Sequence, residues 1–256
     1  MCIRDRWYGG GFGQRAMIPS YVLLGIPLAA LLEWLWTKKI IATIFGIAML
    51  LCVWLNLHQT WQAHHPKGGF ETEAMTEAYY WKIFGTTNAN PEWKILLDTD
   101  EEFLGESKSS QQIYVNNFES ETDSVLYNNK NTNSGNQAMY LSQAVQFSEK
   151  FSAPLASDLK IDWLRATADF YCESKEWNYW QMSQFIISLE QDDQIVKEKM
   201  IRVQRILNER QWRTFSIDIK IPKDKKFNNV KVKFWNADGP KELWADNLKI
   251  EAIISK

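Results

Sequence analysis

Two apolar runs open the chain, and alternating apolar and polar positions fill its second half. Ala16–Leu32 is 17 residues without a charge, and Ile40–Leu57 is 18 more. A helix crossing a bilayer needs about 20 apolar residues, with a range of roughly 17–25. The pattern therefore predicts transmembrane helices over about 16–36 and 40–57, forming a hairpin joined by Glu33–Lys39. Trp34, Trp36 and Trp54 suit the aromatic belts of a membrane interface. Pro19 and Pro27 would kink the first span, which membrane helices tolerate. Two tandem runs do not match a cleaved signal peptide. Residues 1–57 thus read as membrane and residues 58–109 as a juxtamembrane connector. Within the connector, Glu71–Phe84 has helical character, with Met75, Tyr79 and Ile83 on one face. It reads as a short helix at the membrane surface or as a solvated linker helix.

Residues 110–256 read as antiparallel β. Period-2 alternation recurs in Gln112–Phe118, Ala138–Phe147, Leu159–Cys172, Gln181–Leu189, Met200–Leu207, Thr214–Ile221, Val230–Trp235 and Leu243–Ile254. Each such strand buries one face and wets the other. Turn chemistry separates them at Asn128–Asn136, Gln191–Asp193, Pro222–Lys226 and Asp238–Pro240. The expected fold is a membrane hairpin of two helices followed by an all-β, jelly-roll-like two-sheet sandwich.

Charge and composition narrow the function. Residues 1–70 hold 6 Lys and Arg against 2 Asp and Glu, whereas the remainder holds 23 against 29. The net charge of −2 argues against a nucleic-acid partner. Lys38 and Lys39 favour a cytoplasmic hairpin turn, which sends everything after residue 57 outward; Arg4, Arg6 and Arg15 argue the other way. Three distant cysteines give neither a disulfide framework nor a CxxC clasp. His58, His64 and His65 sit near one another without an acidic partner, and read as polar rather than as a metal site.

Two stretches resemble known families. Trp7–Glu33 (WYGGGFGQRAMIPSYVLLGIPLAALLE), Leu55–Gln62 and Met75–Phe84 resemble a late segment of bacterial polytopic membrane glycosyltransferases of the GT-C superfamily, similar to the dolichyl-phosphate-mannose and lipid A arabinose transferases. The resemblance implies a polyprenyl-phosphate-linked sugar donor, contact with membrane lipid, a bacterial inner-membrane location and a periplasmic C-terminal domain. The catalytic acidic pair of that family lies in a loop with no counterpart here. The opening MCIRDR resembles adapter-derived sequence at the head of metagenomic reading frames. The chain is therefore expected to be an inactive C-terminal fragment of a longer enzyme, with residues 1–6 foreign to it. In the second half, Val115–Ser120 and Leu243–Ile253 resemble the first and last strands of jelly-roll carbohydrate-binding modules. That likeness implies a glycan partner and a structural Ca2+ at Glu119 and Asp246. Two acids do not by themselves make a calcium site, and without the likeness they are a strand-edge acid and a turn acid.

Other candidates come from the residues alone. Arg15, after the glycine-rich Gly9–Gly13, can hold a phosphate bidentately or snorkel to headgroups. Trp177, Tyr179 and Trp180 (WNYW) lie near a turn and are the best candidates for a sugar-stacking platform. Large aromatics also fill sandwich cores, and Trp212 and Trp235 read as the most core-like. No catalytic residue is assigned. The competing reading is a two-span anchor presenting a non-catalytic carbohydrate-binding or protein-interaction module.

Overall fold

The computed structural model describes residues 20–71, 75–155, 161–174 and 178–255. The chain divides into two units, 1–93 and 94–256.

The first unit is helical. Helix α1 runs over Ser20–Trp36, through Pro27. Helix α2 runs over Lys39–His64 and is long and apolar enough to cross a membrane. It is the one such helix among the described residues; α1 is apolar but shorter. Helix α2 also outlasts its apolar run, because His58–His64 keeps good helix formers and is packed from the side. Helix α3, Glu77–Ile83, begins later than the sequence pattern suggests. Thr76 caps it, its Oγ1 accepting from Tyr79 N–H at 3.1 Å.

The second unit is a two-sheet sandwich in which every strand pairing is antiparallel. Its strands are β1 (Ser107–Asn116), β2 (Tyr127–Asn128), β3 (Ala138–Leu141), β4 (Phe151–Pro154) and β5 (Trp163–Cys172), then β6 (Gln184–Gln191), β7 (Gln194–Arg202), β8 (Arg213–Lys220), β9 (Asn229–Trp235) and β10 (Leu243–Ser255). The larger sheet runs β2-β3-β10-β5-β8, with β1 also on β10; the smaller runs β4-β9-β6-β7. Alternation works as expected in β9, where Val230, Val232 and Phe234 point inward. Phe170 from the larger sheet meets Phe185 and Phe234 from the smaller at 5.2 and 5.7 Å between ring centres, edge-on and tilted as aromatic quadrupoles prefer.

Several elements differ from the sequence pattern. β1 begins five residues before Gln112, and β2 and β4 fall where no strand was read, although β4 alternates buried and exposed residues over its four positions. The strand read at Met200–Leu207 begins earlier, at Gln194, pairing tightly across Asp192–Asp193 with β6. Both turn residues take positive φ, which Asp tolerates. Val203–Arg205 then closes into a 3-10 turn. The run read at Ala138–Phe147 leaves the sheet after Leu141.

An acidic strap, Asp98–Phe103, crosses from β7 to β8. Asp98 is buried; its carboxylate accepts from Arg202 N–H at 2.8 Å and Arg202 Nη1 at 2.5 Å. Arg205 Nε makes an ion-pair contact with it at 3.2 Å. Asp100 pairs with Lys199 and Glu101 with Lys197, each at 2.6 Å. Glu101 also accepts from Lys220 N–H at 2.8 Å, and Asp218, bridged twice by Arg165, accepts from Phe103 N–H at 2.8 Å.

Removing one partner of a buried ion pair strands the other charge, at a cost of roughly 3–5 kcal/mol. Asp98→Ala should lose about that much in denaturant unfolding, because two guanidinium groups lose their shared carboxylate. The Lys199 hydrogen bond holds Asp100 below its ordinary value of 3.8. A depressed carboxyl stabilises the fold above its unfolded value and loses that contribution as pH falls through its folded value. Acid unfolding of Asp100→Asn should therefore show a shallower loss of stability below 3.8 than the parent.

Candidate functional site

One end of the smaller sheet carries a rim of aromatic and amide side chains. It forms because β9 ends on an outward residue. Phe234 points into the core, so Trp235 points out and is half-buried. Phe147 bridges to Trp235 and lays its ring parallel to it, 5.8 Å between centres and 2° between planes. Phe147 is 61% exposed. The indole N–H of Trp235 is shielded and meets no acceptor among the described residues.

Past Trp235 the chain turns sharply through Asn236–Gly239. Buried Asn236 locks this turn: it accepts from Ser183 Oγ at 2.7 Å and donates to Gly239 O at 3.0 Å. Ala237 and Asp238 take positive φ, which pushes the exposed Asp238 out of the turn. Three glutamines gather on Asp238. Gln143 and Gln146 donate to its carboxylate and Gln181 to its carbonyl, each at 3.3 Å. Gln181 follows Trp180, which is 65% exposed. Two stacked rings, one bare indole, three amides and a carboxylate therefore share one rim. Planar amides and carboxylates bond to hydroxyl groups, and bare rings take apolar CH faces.

The residues singled out in the sequence fall as follows. Trp177 and Arg15 lie outside the described residues. Tyr179 and Trp180 are perpendicular, 89° between planes at 4.8 Å, and so are not coplanar. The Tyr179 ring is taken by Arg202 and Arg205, whose guanidinium carbons lie 4.4 and 4.9 Å from its centre. Those cation–π contacts fix Tyr179, while Trp180 stays exposed. Trp235, read as core, belongs to the rim, and Phe147 went unnoticed. Trp212 is half-buried against Tyr171. The fully buried tryptophan is Trp244, on β10, with Lys130 over its ring at 5.0 Å and its N–H on Asn128.

Glu119 and Asp246 meet the same polar loop from its two ends. Both Glu119 oxygens accept from Asn136 N–H, at 2.9 and 3.0 Å, and one also accepts from Gln137 N–H. Asp246 accepts from Asn133 and Ser134 N–H at 3.1 and 3.0 Å, and from Asn247 N–H. Asp169, directly across from Asp246 in the β5–β10 ladder, takes the amides of Asn133 and Asn247. Burial and the nearby Asp169 push Asp246 above its ordinary value. A calcium ion wants six to eight oxygens. These carboxylates face N–H donors instead, and no group of three acids, histidines or cysteines among the described residues could hold a metal. The arrangement does not fit the cation; the loop's own amides occupy its place.

No protein-family model and no curated protein matches the chain. Solved structures with a similar fold include a family 16 carbohydrate-binding module, 13% identical over 48% of this chain and 82% of that one, with a TM-score of 0.34. Another is the xylan-binding CBM22-1 domain of Paenibacillus barcinonensis Xyn10C, 9% identical over 59% and 100%, at 0.35. A third is a Stig cyclase, Fisc, from Fischerella sp. TAU, 11% identical over 52% and 72%, also at 0.35. Scores this low carry no argument about function. The sandwich itself stands on its strand pairing.

Gly135 in the polar loop has φ +62, and a Cβ there would sit 2.2 Å from Glu119 Oε1. Left-handed backbone costs a non-glycine residue roughly 1–2 kcal/mol before that clash is counted. Gly135→Ala should lower the thermal midpoint, and Glu119→Gln should lower it too, by weakening the same clasp. A chelator should leave the midpoint of the parent unchanged.

Proposed function

We propose that the chain is a membrane-anchored, non-catalytic module whose β-sandwich binds a glycan at the rim. The observation that carries this reading is the exposed set of rings, Phe147 on Trp235 and Trp180 nearby, with Gln143, Gln146 and Gln181 gathered on Asp238. Helix α2 supplies the anchor, with α1 as its hairpin partner. Membrane lipid and an external glycan are then the two partners.

A second reading is favoured by α1 and α2, whose apolar side chains are mostly bare and suit burial among further spans. In it, the chain is the C-terminal part of a polytopic glycosyltransferase of the inner membrane. The donor would be a polyprenyl-phosphate sugar whose phosphate Arg15 contacts, and the periplasmic sandwich would position an acceptor. A long read through the source locus separates the two. A frame running upstream into many more apolar spans favours the transferase; a start signal just before Met1 favours the anchored module.

The glycan reading is tested by titrating the full chain in detergent with soluble oligosaccharides, followed by calorimetry. Binding should weaken roughly tenfold, about 1.4 kcal/mol, on losing either exposed ring. Trp180→Ala and Phe147→Ala should show that loss with unchanged melting midpoints. An array of plant, bacterial and host glycans with no binder at all would sink the reading.

A further inference from the structure

The end of α2 and the segment after it form a small collar, and its geometry sets α3 at one height. Along Lys39–Leu57, side chains of α2 such as Ile40, Ile44, Leu50 and Leu57 are exposed. From His58 to Ala63 the helix is partly covered. Gln62 is buried and donates to the carbonyls of Ile83 and Thr86, at 2.8 and 3.0 Å. Gln59 donates to Tyr80 Oη at 2.7 Å. Gly68 lies against the Gln62 backbone so closely that a Cβ would sit 2.1 Å from its carbonyl oxygen. Tyr79 is fully buried and donates to Gly69 O at 2.6 Å. The Tyr79 and Ile83 stripe of α3, which the sequence pattern offers as its apolar face, is therefore used up inside the collar. The other face is bare: Trp81 is 61% exposed, Phe84 is exposed, and Tyr80, Trp81 and Phe84 pack at 5.2 to 5.8 Å.

We infer that Trp81 and Phe84 are an aromatic anchor that seats α3 in the headgroup layer of a lipid bilayer. This rests on the proposal that α2 crosses the membrane. The height follows from the two glutamines. Gln59 and Gln62 lie two and five residues past Leu57, so about 3 and 8 Å farther along the axis. The headgroup layer extends about 5–8 Å beyond each side of the hydrocarbon core. Bonds from both glutamines to α3 therefore hold it within that layer, where tryptophan is enriched. A second aromatic run lies along α2. Trp54, His58, Trp61 and His65 stack successively up α2, at 4.5 to 6.4 Å, across the same boundary.

The test uses the full chain in phosphatidylcholine vesicles doped with a photoactivatable diazirine phospholipid. Flotation reads insertion, and mass spectrometry maps lipid adducts. The inference expects a floating chain with adducts on residues 40–57 and on Trp81 and Phe84. It also expects loss of the second set in a Gln59→Ala, Gln62→Ala variant, which frees the collar but leaves the span. A floating chain with adducts on 40–57 and none on α3 overturns the anchor and leaves the membrane reading standing; that is also the outcome if a protein partner covers this face. A chain that does not float overturns both.

Discussion

Carboxylates that accept backbone N–H bonds hold the loops of the sandwich to its sheets. Asp98 and Glu101 take the amides of Arg202 and Lys220; Asp218 takes that of Phe103. Glu119 and Asp246 take four amides of one polar loop between them. Asp162 takes the amide of Ser255 at the end of β10. A charged acceptor makes a shorter and stronger bond than a neutral one. A loop without a repeating ladder of its own gains most from it, because its amides would otherwise need water. The sheets would form from alternation alone. Which loops lie on them, and in what register, follows from where the acids fall.

Two aromatic surfaces follow from that framework, and their neighbours tell them apart. The rings on α3 belong to a segment hydrogen-bonded to α2 just past the end of its apolar run. The rings at the rim of the smaller sheet sit beside three amides and a carboxylate. Similar indole and phenyl groups thus stand in different chemical company. In both places a polar contact fixes an aromatic residue so that its neighbour is presented: the two guanidinium groups on Tyr179 beside Trp180, and the Gln59 bond to Tyr80 beside Trp81.

Much of this was legible in the sequence. The long strands β5, β8, β9 and β10 announce themselves by period 2, and α2 by its unbroken apolar run; β6 was also read as an alternating strand, yet Phe185–Glu190 is buried on both faces. β4 went unread although Phe151–Pro154 alternates buried and exposed, because its single phenyl and single alanine make a faint apolar face. The strap was not legible either. Asp98–Phe103 falls within the stretch read as connector, and only the lysines of β7 standing opposite it show that it belongs to the sandwich. Trp235 is the instructive miss. The alternation Val230, Val232, Phe234 already placed it on the outward face, but the size of its ring suggested a core position. Glu119 and Asp246 were paired as calcium ligands, whereas the partner they share is a loop of asparagine and glycine whose backbone conformation no pattern of side chains reveals.

The acidic strap also bears on what the sheets cannot do. An open strand edge is a template for another chain, and proteins blunt such edges with prolines, bulges, short strands and inward charges. Each edge here is treated. β1 carries two register irregularities, β2 is two residues long, and β4 ends in Pro154. β7 and β8 each give a backbone N–H to a carboxylate of the strap, at Arg202 and Lys220. A sandwich so plugged can be concentrated without its copies zipping into a shared sheet.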